Sequence, residues 1–218
     1  MEGLFSVFLA IHITGGSMAL VTGALAIMTR KGGKGHTQSG KFYFIGMTMV
    51  FVSAVVMSIL HPNPFLLMIG VFSYYLVGVG YRAKYLKKLH LDQKPALIDW
   101  LLSGVAGIFH LGLLLWGIYQ YFVLGSSFGI TAMVFGGLAL TLNWRVLRNF
   151  IYRPKDAQYW VRSHISGMMG SYIAASTAFL VVNIQFQPQW LLWLIPTIIG
   201  VPIISYWSRK FKPKERVA

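Results

Sequence analysis

Four clusters of basic residues alternate with long apolar stretches that contain no Lys or Arg, and this alternation limits what the chain can fold into. Arg30, Lys31, Lys34 and Lys41 form the first cluster, and Arg82, Lys84, Lys87, Lys88 and Lys94 the second. Arg145, Arg148, Arg153, Lys155 and Arg162 form the third, and Arg209, Lys210, Lys212, Lys214 and Arg216 the last. Together they account for all 19 Lys and Arg residues. The apolar stretches are long enough to cross hydrocarbon as helices of about 20 residues, which satisfy their backbone groups internally. A soluble fold would need a polar surface, yet only 11% of the chain is charged, against roughly 25% in a soluble domain. Mean hydropathy is +0.63, and there is no room for an additional soluble domain beside one membrane domain over 1–218.

Turn chemistry divides the stretches into seven helices at about 4–29, 41–60, 64–82, 97–122, 128–150, 160–183 and 189–208. His61-Pro62-Asn63-Pro64 makes a tight hairpin between the second and third. Gly125-Ser126-Ser127 does the same for the fourth and fifth, and Gln185–Gln189 with Pro188 separates the sixth and seventh. None of these three turns carries Lys or Arg, so every basic cluster falls on one side. By the positive-inside rule that side is cytoplasmic. The expected fold is therefore all-α: a polytopic integral membrane protein, a bundle of seven transmembrane helices with its N-terminus outside and its C-terminus cytoplasmic. Tyr119, Tyr121, Phe122 and Phe128, with Trp190 and Trp193, sit at helix ends as an interfacial aromatic belt does.

The net charge of +14 would suggest nucleic acid in a soluble chain. Here the basic residues occupy short connectors beside apolar helices, where they set topology and contact anionic lipid. The chain has no Cys, which excludes thiolate ligands, disulfides and cysteine nucleophiles. The first apolar stretch follows Glu2 with no basic residue ahead of it, and reads as a retained helix rather than a cleaved signal.

Polar residues ride on small-residue faces, which let membrane helices approach closely and so should point into the bundle. His12, Gly16, Ala19 and Gly23 share a face of the first helix, and Asp99, Ser103, Gly107 and His110 one of the fourth. Gly136, Leu140 and Asn143 do so on the fifth, and His164, Gly167, Ser171, Ala174 and Ala178 on the sixth. Helices one, four, five and six are therefore expected at the centre. At about 1.5 Å per residue, His12 lies roughly 12 Å and His110 roughly 18 Å from the outer ends of their helices. The two could meet in the outer half as ligands of a cofactor, through imidazole nitrogens. Neutral histidines hydrogen-bonded across helices are the plainer alternative. His164, Asp99 and Asn143 lie near the inner ends, and His36, in the connector Gly32-Gly33-Lys34-Gly35-His36, could fold against them. His36, His61, Asp99 and His164 are the candidate metal ligands, His61 standing apart at the outer mouth. The competing roles are an ion pair with Arg162 or a nearby basic residue for His164 with Asp99, and turn capping for His61. His90 lies among lysines and reads as a surface residue. No H-E-x-x-H, G-x-S-x-G or Walker sequence is present.

The run His12-Ile13-Thr14-Gly15-Gly16 with Ala19, Leu20 and Gly23, then Lys34-Gly35-His36-Thr37-Gln38-Ser39-Gly40-Lys41-Phe42-Tyr43, resembles a family of bacterial multi-pass membrane proteins that carry a domain of unknown function. Arg162-Ser163-His164-Ile165-Ser166-Gly167, leading to Tyr172, is similar to the same family. The resemblance implies a helical bundle with histidines near helix ends, in a bacterial cytoplasmic membrane, and no settled reaction. Di-haem transmembrane cytochromes are a looser analogy, but their same-helix pairs of His are missing here. Seven-helix zinc hydrolases such as alkaline ceramidases are another, but their H-x-x-x-H on the last helix has no counterpart.

Three functions stay open on these residues. One is a metal ion or b-type haem held in the bundle, with electron transfer from quinol. A second is zinc-dependent hydrolysis of a lipid, using bound water, and a third is a carrier or structural module. The partners expected are anionic lipid, a quinol or lipid substrate, and a second copy in a homodimer. Nucleic acid is not among them.

Overall fold

The computed structural model describes residues 2–188 and 190–211. Seven helices long and apolar enough to cross a membrane occupy most of them. They are α1 (Glu2–Met28), α2 (Lys34–Leu60), α3 (Pro64–Arg82), α4 (Leu97–Phe122), α5 (Phe128–Tyr152), α6 (Tyr159–Asn183) and α7 (Trp190–Arg209). A 3-10 turn, Ala83–Tyr85, extends α3. Lys212, Lys214 and Arg216 of the last basic cluster, and Gln189 at the expected start of the last helix, lie outside the described residues.

Local chemistry explains the boundaries. Pro64 opens α3, where its fixed φ suits a first helical turn, and the Asn63 side chain accepts from the Leu66 N–H at 3.1 Å. The start of α2 falls at Lys34, seven residues before the charged and glycine-rich composition suggested. The turn that precedes it depends on Gly32, whose φ of 76° is open to glycine and strained for other residues. His36 therefore belongs to the first turn of a helix, not to a connector.

The helices associate as neighbouring pairs. α1 lies along α2, α4 along α5, and α3 along α6, with α7 against α6. α3 also meets α2 and α4 and touches α5, so it stands at the centre. This corrects the expectation that α1, α4, α5 and α6 form the middle. α3 buries large side chains, Phe65, Met68, Phe72, Tyr75 and Leu76 among them, where the sequence reading looked for small ones. In hydrocarbon the lipid is as apolar as the core, so association comes from close van der Waals packing and interhelical hydrogen bonds.

The small-residue faces supply that packing at the pair seams. A Cβ on Gly167 would stand 2.6 Å from the Gly80 Cα, so the backbones of α6 and α3 meet at this crossing. Gly136 lies equally close to the α4 backbone at Leu114. The outward faces are apolar: Ile13, Val21, Ile59, Ile108, Val182 and Ile198 are exposed, as lipid-facing residues must be. At the outer end, Phe65 gathers Phe128 and Trp193 edge-on, with Trp116 tilted beside it. These rings close the α3–α4–α5–α7 junction on that side.

Candidate functional site

Two histidines meet at the basic end of the bundle. His36 Nδ1 lies 2.9 Å from the Ala26 carbonyl, and His164 Nδ1 lies 2.8 Å from the Gly80 carbonyl. Both carbonyls belong to the last turn of a helix, α1 and α3, where carbonyls lack intrahelical partners. A carbonyl can only accept, so each Nδ1 carries the proton and donates it. In the neutral form of either ring this leaves Nε2 bare, the tautomer a metal ligand needs, held in orientation as a ligand's outer partner holds it. The close Gly80–Gly167 crossing explains the second contact, because it brings the end of α3 beside His164, one turn before Gly167 on α6.

The ring centres of His36 and His164 are 6.1 Å apart, with planes at 74°. Two imidazoles facing one ion, at about 2 Å from each nitrogen and about 1 Å more to each ring centre, span about 6 Å. The negative ends of α1 and α3 converge here and favour a cation, while the positive ends of α2 and α6, which carry the two histidines, oppose it. Lys31 opposes it as well, since its ammonium also donates to the carbonyls of Ala26 and Ile27. Burial holds that ammonium below the usual lysine range. Two imidazole donors of this kind are the type a transition-metal ion takes.

Asp99 does not join the two histidines. Its carboxylate accepts from Arg82 Nε at 2.7 Å and Nη2 at 2.9 Å, and from the Ala96 N–H at 2.9 Å. With Asp99 only 2% exposed, this is a buried, two-pronged ion pair tying α3 to α4. The expected set of His36, Asp99 and His164 is thus divided, its carboxylate engaged by a guanidinium. His61 stands at the opposite end, exposed and edge-on to Phe5 at 4.5 Å. Among the described residues, no group of three or more His, Asp or Glu is placed to hold a metal ion.

His12 and His110 are not brought together either. His12 Nδ1 lies 3.1 Å from Ser53 Oγ on α2, and Ser53 in turn donates to the Met49 carbonyl at 2.6 Å. The serine therefore accepts from His12, whose Nε2 has no imidazole beside it on this contact. His110 is fully buried on α4 between Phe72 and Tyr75 of α3 and Asn143 of α5. Among the described residues α1 and α4 share no contact, which separates the two histidines by the width of the intervening helices.

Residue-type reasoning overlooked the groups that orient the pair, because Ala26 and Gly80 act through their carbonyls. The available signal was position, since both fall in the last turn before a basic cluster. Tyr75 was also overlooked, hidden in an aromatic run that reads as packing. Comparison with protein-family models, with curated proteins and with solved structures found no match. The family resemblance therefore rests on its short motifs, and the residues and geometry show a membrane-spanning bundle of seven helices.

Proposed function

We propose that this protein holds a transition metal, as an ion or as the iron of a b-type haem, between His36 and His164 on the cytoplasmic side of a bacterial membrane. One observation carries the reading: two imidazoles, each with Nδ1 held on a helix-end carbonyl, stand 6.1 Å apart between ring centres. When bound, such a metal supplies one-electron chemistry, and a quinol in the surrounding lipid is the fitting donor. The chain's own contribution is to fix the orientation of both imidazoles by holding each Nδ1 on a helix-end carbonyl. The zinc-hydrolase alternative lacks its carboxylate while Asp99 is held by Arg82.

The test is metal analysis with a visible spectrum on protein purified in mild detergent from cells supplied with iron, copper and zinc. About one metal per chain is expected, lost in both His36→Ala and His164→Ala and kept in His12→Ala. A Soret band identifies haem, and a colourless metal-bearing protein identifies a bare ion. Metal-free protein, or a metal indifferent to both substitutions, would refute the proposal.

A further inference from the structure

A second polar group lies deeper, between α3, α4 and α5, and takes no part in the His36–His164 pair. Tyr75, Ser103, His110 and Asn143 are each at most 2% exposed. Asn143 Nδ2 donates to the Ser103 carbonyl at 2.9 Å and lies 3.4 Å from His110 Nδ1. Four side-chain atoms then have no protein partner: Tyr75 Oη, Ser103 Oγ, His110 Nε2 and Asn143 Oδ1. Tyr75 Oη approaches the Ser103 hydroxyl without closing a hydrogen bond. Leaving one such group unpaired costs about 1–3 kcal/mol, so four in one place are expensive unless something polar sits among them.

Ser103, alone of the four, also lines a cavity of about 10 Å³ on the basic side, whose walls include Asp99, Arg82, Tyr159 and Ser163. That volume is about the minimum for one water, and the walls offer the several polar partners a buried water needs. In the outward direction the aromatic junction of Phe65, Phe128 and Trp193 stands across the bundle.

We propose that these four side chains form a water-binding well, filled from the basic side past the Arg82–Asp99 pair, which makes His110 a point of proton exchange deep in the membrane. Water bridges the Tyr75 and Ser103 hydroxyls and reaches the free imidazole nitrogen of His110. Exchange at that ring swaps one N–H proton for one from water, with no net charge moved. Tyr75 is the titratable side chain seen against His110 from α3, and Asn143 from α5 is neutral. Asp99, Arg82 and Tyr159 border the cavity farther toward the basic end.

The experiment follows ring N–H exchange into D2O by NMR on histidine-labelled protein, the His110 signal being assigned by its loss in His110→Gln. The His110 ring proton should exchange faster than the backbone amides of the α4 turn that carries it, by at least about tenfold. Ser103→Val, which fills the cavity, should slow it by at least about tenfold with the thermal midpoint retained. Should that variant not fold, Tyr75→Phe removes only one hydroxyl and must also slow exchange. A ring proton that exchanges no faster than the neighbouring amides, or a rate unchanged by a folded Ser103→Val or by Tyr75→Phe, would overturn the well.

Discussion

Asp156 shows how a single residue can hold the basic end of the bundle together. It sits in the α5–α6 connector, receives both arms of the Arg162 guanidinium at 2.9 and 2.6 Å, and accepts from the Gln158 N–H at 2.9 Å. Arg162 Nη1 also donates to the Phe211 carbonyl at 2.7 Å, which ties the segment after α7 to α6. The guanidinium, above all, holds the Asp156 carboxyl below the ordinary value of 3.8. A depressed carboxyl binds its proton less readily folded than unfolded, so its contribution to stability is fully present above 3.8. That contribution is lost as pH falls through the lower folded value. The thermal midpoint of Asp156→Asn should therefore lie below wild type at neutral pH, and the two should converge as the solution is acidified below that range. Parallel curves down to the lowest workable pH would show that the pair contributes nothing. Arg82–Asp99 makes a similar two-pronged contact in a drier place. Removing Arg82 there would strand the buried Asp99 carboxylate, at a cost of about 3 kcal/mol or more.

At the scale of helices, glycine decides where the functional groups stand. The Gly80–Gly167 crossing puts α3 and α6 in backbone contact and thereby presents the Gly80 carbonyl to His164. Gly167→Leu should force the helices apart, lower the thermal midpoint and abolish metal retention together. Gly104→Ala, where an added Cβ meets nothing within 4 Å, should leave both unchanged. Retention of metal by Gly167→Leu would separate the crossing from the site. Much of the architecture was legible in the chain: six of the seven helices begin and end within two residues of their expected bounds, and only the start of α2 departs further. Lipid imposes long apolar spans and turns that any reader of composition can see. The face of Asp99, Ser103 and His110 was legible as well, and all three are buried. The central place of α3 was not, because in hydrocarbon a large aromatic face and a small one are equally good reasons to pack. The partner of His164 was hidden for another reason. Its contact with the Gly80 carbonyl joins α6 to the end of α3, whose adjacency depends on the order of helices around the bundle, and spacing along one chain does not carry that order.

For the molecule as a whole, the one-sided basic clusters make orientation directly testable. The chain contains no Cys, so single cysteines can be introduced on a silent background. A Cys at Ser126, in the α4–α5 turn, should react with a membrane-impermeant maleimide on intact cells. A Cys at Lys155, in the α5–α6 connector, should react only after the membrane is opened. The reverse pattern would invert the molecule and move the His36–His164 pair to the outer face. Orientation has a further consequence for His110. It lies 13 residues from the start of α4 and 12 from its end, or about 20 and 18 Å along the axis. That is the midpoint of the span. A full crossing of one charge is worth about 2.3 kcal/mol per 100 mV, so a net charge placed on that ring would feel about half of it. Protonation of a residue buried in one wall of the bundle would then answer to the voltage across the membrane as well as to the acidity on either side.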